Sequence, residues 1–342
     1  MRSKRALANR IFTGVGLALG AGVLIALVLY VSKTVNLGEL LTAMRPAWLV
    51  AGILCVPISQ SADALTFYFM GRRIGCPVRL PACFDIAFIG EFYYKLGPAG
   101  APVQIKLMLD AGFTGTKTAS VFVWKMVANM VVYTVYAIAA LLLRGLIYHE
   151  GIASAALWGV GILIALYLVV CAFALFCAVR PAPVQRFARR LLTTLSRKIR
   201  PLAKEGRIDR LMVRLGDVCD QLNAYRGDKF LLFGLFFGMF IELGALFAIP
   251  CCVYYGLGLS GEVFASLLFT QSLVMLLARI VVLPGNVGGA EGSFILFMST
   301  AFGAMMPVGL VLWRMMSFVE TMAVGAVWSV GRFAHRSVRG RR

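Results

Sequence analysis

Histidine is almost absent from this chain. His149 and His335 are the two it has, both near the ends of predicted helices, so a histidine-based metal centre is not expected. Charge is scarce as well: Asp, Glu, Lys and Arg make up 14% of the 342 residues, against 60% hydrophobic. That balance, with a mean hydropathy of +0.85, excludes an ordinary soluble domain and fits a polytopic membrane protein. The eight cysteines have no metal-ligand spacing. Cys171, Cys177, Cys251 and Cys252 lie in apolar runs and read as small packing residues rather than disulfides or ligands. There is no Ser–His–Asp grouping, no pair of acids on a polar domain and no metal motif. The glycine run GNVGGAEG lacks the Lys-Ser/Thr that ends a phosphate loop and follows no strand pattern. Neither an enzyme activity nor a cofactor or metal is therefore expected.

Apolar sequence is present in bilayer-sized lengths, about 20 residues per helical span. The predicted membrane segments are Ile11–Val31, Ala47–Met70, Pro81–Gly112, Thr116–Leu143, Ala153–Val179, Phe230–Tyr255, Val263–Gly303 and Pro307–Gly331, with 81–112 and 263–303 broken by Pro and Gly. Arg2, Lys4, Arg5 and Arg10 precede the first segment. It is longer than a signal-peptide core and has no small-residue cleavage site, so it is expected to be a retained helix. The net charge of +19 would suit nucleic acid, but the cations flank apolar runs, the pattern of membrane topology and anionic-lipid contact. Nucleic acid is not an expected partner.

The positive-inside rule puts the N-terminus, the turn with Arg72, Arg73 and Arg79, the basic segment 181–228 and the Arg-rich tail on the cytoplasmic side of a cell membrane. Segment 81–112 must then begin and end inside, and 263–303 must begin and end outside. Both are expected as re-entrant hairpins, from opposite faces. In 181–228, Phe187, Leu191, Leu192 and Leu195 recur at helical spacing and predict amphipathic helices on the membrane surface; a solvated basic linker is the alternative.

An internal repeat supports this layout. AGFTGTKTASVFVWKMVANM from Ala111 parallels TAFGAMMPVGLVLWRMMSFV from Thr300. Phe113 precedes Trp124–Met126 by the interval that separates Phe302 from Trp313–Met315. Each half has a break upstream, LGPAGAP at 96–102 and LPGNVGGAEG at 283–292. The fold expected is an all-helical integral membrane bundle: an N-terminal helix in 1–32, a first repeat in 33–180, the basic segment 181–228, and a second repeat in 229–342. Inverted repeats with broken helices are a recurring transporter construction, the site lying where the half-helices meet. Gly97, Pro98, Pro102, Pro284, Gly285, Gly288 and Gly289 are the expected helix breaks and hinges. Exposed backbone there is tolerable only beside a cavity or ligand.

Charges inside apolar segments are costly and so are candidates for function. They are Asp63, Asp85, Glu91, Lys95, Lys106, Lys125, Glu242, Arg279, Glu291, Arg314 and Glu320. Lys125 and Arg314 occupy equivalent places in the two repeats. Each either forms a packing ion pair with Glu91, Glu242, Glu291 or Glu320, or receives a phosphate. Lys106 follows Pro102 in the first turns of a helix, where the dipole disfavours a cation unless an anion also binds. Glu91 and Lys95 are spaced to pair with each other. Glu291 opens the second half-helix, either complementing its dipole or acting as a counter-charge. Gln104 and Asn286 complete the expected substrate-binding set. Asp63 and Glu242 read as proton carriers or as hydrogen-bonding packing residues.

GEFYYKLGPAGAPVQIKLMLDAGF with WKM, and LPGNVGGAEGSFILFMSTAFG with LWRMMSFVE, resemble the lysylphosphatidylglycerol synthetase transmembrane family over nearly the whole chain. This is the flippase-like membrane region of the multiple peptide resistance factor and its stand-alone relatives. The resemblance implies movement of an aminoacylated phosphatidylglycerol between leaflets, with a link to antibiotic resistance. The soluble synthase half of full-length relatives is not expected here, since the chain stops at Arg342. GPAGAPVQI departs from the first-half pattern of relatives and leaves the headgroup open. Membrane phospholipid is the expected partner. A second copy of the chain and a cytoplasmic protein at 181–228 stay open, as do two other functions, a lipid-headgroup transferase and a non-transporting membrane partner of an enzyme.

Overall fold

The computed structural model describes residues 44–96, 100–147, 154–196, 207–280 and 286–339. The expected N-terminal helix Ile11–Val31, and the break residues Gly97, Pro98, Pro284 and Gly285, lie outside the described residues. Within them the secondary structure is helical throughout, with no strand. Among the described residues, five stretches are long and apolar enough to cross a bilayer: Pro46–Arg73, Gly115–Leu143, Trp158–Phe176, Lys229–Gly256 and Gly289–Arg332.

In chain order the helices are α1 (Pro46–Arg73), α2 (Leu80–Leu96), α3 (Gly100–Asp110), α4 (Gly115–Ile147), α5 (Ser154–Val179), α6 (Pro181–Ser196), α7 (Arg207–Gly227), α8 (Lys229–Gly256), α9 (Phe264–Ala278), α10 (Gly289–Phe302), α11 (Met306–Arg314) and α12 (Glu320–Arg339). A 3₁₀ turn at Gly303–Met305 and a π turn at Met315–Val319 join the last three. Ends follow local chemistry. Pro46 starts α1 where its missing N–H costs nothing, and Arg72 and Arg73 close it on the negative end of its dipole. Asp228 caps α8, accepting the Leu231 N–H at 3.0 Å.

α1 and α8 form the central antiparallel pair. Arg45 at one end donates its backbone N–H to Gly256 O at 2.8 Å, and Arg73 at the other end binds Asp228 at 2.7 Å. Between these ends Gly234 meets Phe69, and Gly238 meets the Thr66 hydroxyl so closely that any side-chain carbon at 238 would collide with it. The outer faces stay apolar and exposed: Ile53 and Leu54 on α1, Phe233 and Phe237 on α8, and Ile162 and Val169 on α5. Such a surface is intolerable in water and natural in lipid.

Around this pair the two halves exchange partners. α2 packs on α3 and on α12, while α9 packs on α10 and on α4. The α2–α3 pair has both ends beside the C-terminal end of α1, since Gly112 lies against Pro77 and Phe113 against Gly71. The α9–α10 pair has both ends beside the C-terminal end of α8: the Phe264 ring stacks on Tyr255 and the Phe302 ring meets Tyr254 edge-on. Within the basic segment, α7 is not a solvated linker. It buries Cys219, Leu222 and Tyr225 and anchors α4, where Trp124 Nε1 donates to Leu222 O at 3.3 Å and Gln221 donates to the Thr116 hydroxyl at 3.1 Å. On α6, Phe187 is exposed.

Candidate functional site

Among the described residues, charged side chains meet at several places inside the bundle. The first is built on α1, α4 and α8. Lys125 forms an ion pair and hydrogen bond with Asp63, and its ammonium stands 3.9 Å from Glu242. The three side chains are 14%, 11% and 17% exposed, in that order, so water screens them little. The Phe67 ring lies 4.2 Å from the Lys125 ammonium and adds a cation–π contact. Glu242 falls at the middle of the apolar span Lys229–Gly256. Two acids facing one lysine leave a surplus of negative charge unless one carboxyl is protonated, and Glu242 Oε2 has no hydrogen-bond partner. The sequence reading offered Lys125 a partner among four glutamates; its closest partner is Asp63, with Glu242 second.

The second place is the start of α10. Gly288 takes φ +82°, a conformation glycine adopts freely, and this lets the Glu291 carboxylate turn back to accept the Gly288 N–H at 2.7 Å. The other Glu291 oxygen binds Arg314 at 2.7 Å. Asn286 has φ +53° and offers its carbonyl to Arg314 Nη2 at 3.4 Å. Trp313 stacks on Phe294 with ring centroids 4.4 Å apart, which fixes α11 against α10. Both roles weighed for Glu291, helix-start complement and counter-charge to Arg314, are thus met by one carboxylate. For Arg314 the ion-pair alternative is the observed state.

The third place centres on Arg279, which stood among the candidate charges of the sequence but was given no role or partner. Arg279 directly follows α9 as its C-cap and reaches between α4 and α5. Its Nη1 donates to Tyr167 OH at 2.9 Å and to Asn129 Oδ1 at 3.3 Å, and the Tyr133 ring lies 4.1 Å from its guanidinium carbon. Asn129 is the middle residue of the span Gly115–Leu143, and Tyr167 is the middle residue of Trp158–Phe176. No carboxylate forms an ion pair with Arg279 among the described residues. As the residue that caps the C-terminus of α9, it gains roughly 0.3–1 kcal/mol from the helix dipole. That falls short of the roughly 2.5–3.5 kcal/mol that a cation costs at mid-bilayer. The sequence signal was an arginine at the end of an apolar run just before the break; nothing in the sequence announced its tyrosines.

The other expected residues are more scattered. Glu91 and Lys95 pair with each other at 3.4 Å as their spacing suggested. Gln104 on α3 is buried and packs against Gly90 of α2, holding that pair together. Lys106 is exposed on α3 and makes no ion pair among the described residues, and Pro102 is exposed in the first turn of the same helix. Gly289 is the first residue of α10. Asp85 of α2, itself buried, accepts from Trp328 Nε1 at 2.9 Å and Arg332 Nε at 2.8 Å, both on α12. No group of three or more His, Cys, Asp or Glu side chains suited to a metal ion occurs among the described residues.

Against known proteins, a family described as the lysylphosphatidylglycerol synthase TM region matches residues 13–325. No curated protein matches the chain significantly. The chain belongs to the lysylphosphatidylglycerol synthase TM family.

Proposed function

We propose, with that membership as premise, that the chain moves an anionic or aminoacylated phospholipid of the phosphatidylglycerol type between the leaflets of a cell membrane. The observation that carries this reading is the set of charged side chains held inside a bundle whose outer face is apolar. Asp63, Lys125 and Glu242 meet between α1, α4 and α8, and Arg314 meets Glu291 between α10 and α11. Packing alone is a poor reason to keep such groups, because a buried ion pair is often no more stable than an apolar replacement.

The α2–α3 and α9–α10 pairs are read here as re-entrant hairpins from opposite faces, related by an inverted repeat. Their chain ends support this, lying at the Arg73 end of the α1–α8 pair for the first and at the Arg45 end for the second. A lipid phosphate passing between them would exchange with the carboxylates that now hold Lys125 and Arg314. Lys106, Gln104 and Asn286 would extend its polar path, and the freed carboxylate of Glu291, with the Glu91 carboxylate that Lys95 holds, would meet an amino headgroup.

The test is lipid movement in proteoliposomes carrying a fluorescent phosphatidylglycerol, read by quenching from outside. The wild type should expose the inner-leaflet probe, and Lys125→Ala and Arg314→Ala should each stop it. If the wild type moves no more probe than protein-free vesicles, the lipid-moving reading is wrong. If both variants move it normally, the phosphate path is wrong.

A further inference from the structure

We infer that Arg279, with Asn129, Tyr133 and Tyr167, forms a mid-membrane binding site for the phosphate group of a lipid. The inference rests on the lipid-moving reading for its biological sense, but it deepens that reading by naming a different cation as the phosphate's resting place. Lys125 and Arg314 are already neutralised by carboxylates, so a phosphate must displace an acid to reach them. Arg279 has no such competitor among the described residues. It is held instead by neutral groups: a tyrosine hydroxyl, an amide oxygen and an aromatic face. These orient a guanidinium without discharging it.

The geometry fits an oxyanion. A guanidinium carries five N–H groups in a rigid fork suited to phosphate oxygens, and Asn129 and Tyr167 take bonds only from Nη1. The cage is packed into the bundle. Tyr133 and Tyr167 are 2% and 8% exposed, and the Asn129 amide nitrogen is turned toward Met239 of α8 at 3.5 Å, which leaves its oxygen for the arginine. Lys125, Asn129 and Tyr133 follow one another along one side of α4 at one-turn spacing, so the cage adjoins the Asp63–Lys125–Glu242 group. Ile280, the next residue after Arg279, is 54% exposed. The cation therefore lies one residue from an exposed apolar side chain, against which the acyl chains of a phosphate-bearing lipid would pack.

The experiment measures phosphate-lipid retention by the full chain in a neutral detergent, using native mass spectrometry. The probes are phosphatidylglycerol, diacylglycerol with the same chains, and inorganic phosphate as competitor. The variants are Arg279→Gln, Arg279→Lys and Tyr167→Phe. The wild type should retain phosphatidylglycerol over diacylglycerol. Arg279→Gln should weaken that retention about tenfold, the loss of one charge-assisted contact, while Arg279→Lys keeps the preference at reduced strength. Competition by inorganic phosphate means the phosphate group alone is recognised; its failure means the lipid is required. A folded Arg279→Gln with undiminished preference overturns the site. If Arg279→Gln cannot be recovered folded, Arg279→Lys and Tyr167→Phe decide: unchanged retention in both overturns the site, and weakening in both upholds it. Lipid movement is scored separately in vesicles, so a wild type that binds but does not move lipid sinks the transport reading and leaves this one standing.

Discussion

The Lys125 ammonium sits between two carboxylates, paired to Asp63 of α1 and 3.9 Å from Glu242 of α8, so one cation of α4 joins both members of the central helix pair. Removing the cation should hurt more than removing either acid. Lys125→Ala leaves two carboxylates facing each other in a poorly hydrated site, and breaking a buried pair from one side costs roughly 3–5 kcal/mol. Asp63→Asn leaves Lys125 with Glu242 still in range. Thermal unfolding in detergent should therefore rank Lys125→Ala as least stable, with Asp63→Asn closer to wild type. The double variant Lys125→Ala/Asp63→Asn should recover part of the loss, and a double variant no better than Lys125→Ala would show that charge imbalance is not the cause.

Glu291 and Arg314 should respond unequally. Arg314→Ala leaves the Glu291 carboxylate on the Gly288 N–H and at the positive end of the α10 dipole. Glu291→Ala removes the carboxylate that balances the Arg314 guanidinium and uncaps the helix together. Glu291→Ala should be the less stable by about 1 kcal/mol, the usual worth of a cap. Glu291→Gln should fall between them, because a glutamine oxygen still accepts the N–H. Equal melting temperatures for Glu291→Ala and Arg314→Ala would mean that the cap contributes nothing.

Much of the helical layout was legible in the residues, and the pairing of charges was not. Span ends are written locally, by a proline at Pro46, by paired arginines at Arg72 and Arg73, and by Asp228 before an apolar run, so the expected Ala47–Met70 and Phe230–Tyr255 fall within three residues of α1 and α8. The Glu91–Lys95 pair lies within one turn and was legible for the same reason. Asp63 and Glu242 face the same lysine in a register of α1 on α8 set through Gly234 and Gly238, which no single segment reveals. The Arg279 cage draws on α4, α5 and α9 at once. Its tyrosines sit in apolar runs where they look like any aromatic packing residue.

Acid should loosen the joint between α1 and α8. Arg73 donates hydrogen bonds to Asp228, and the Leu231 N–H adds another; together they hold the Asp228 carboxyl below its ordinary value. A group whose folded value is depressed stabilises fully above its unfolded value, about 3.9 for aspartate, and loses that contribution as pH falls through the folded value. The melting temperature of wild type relative to Asp228→Asn should be level from pH 7 down to about pH 5, then narrow below about pH 4. Asparagine keeps the helix cap, so the difference isolates the Arg73 contact. A constant difference down to about pH 2 would count against it.

Close approach of α1 and α8 should depend on Gly238 more than on any change to their lipid-facing residues. A side-chain carbon at 238 meets the Thr66 hydroxyl, which is itself buried and donates to Ala62 O at 2.8 Å, so it has no room to swing aside. Gly238→Ala should cost about 1–3 kcal/mol, the range for overpacking a well-filled interior, although alanine is the better helix former. Thr66→Ala in the same chain removes the colliding oxygen and should restore part of the loss, because residues in contact do not contribute additively. Phe237→Ala, on the exposed face of α8, should change the melting temperature little. Measured together by thermal unfolding in one detergent, these variants separate helix contact from helix propensity: a Gly238→Ala protein as stable as wild type would mean the two helices can part at that point without loss.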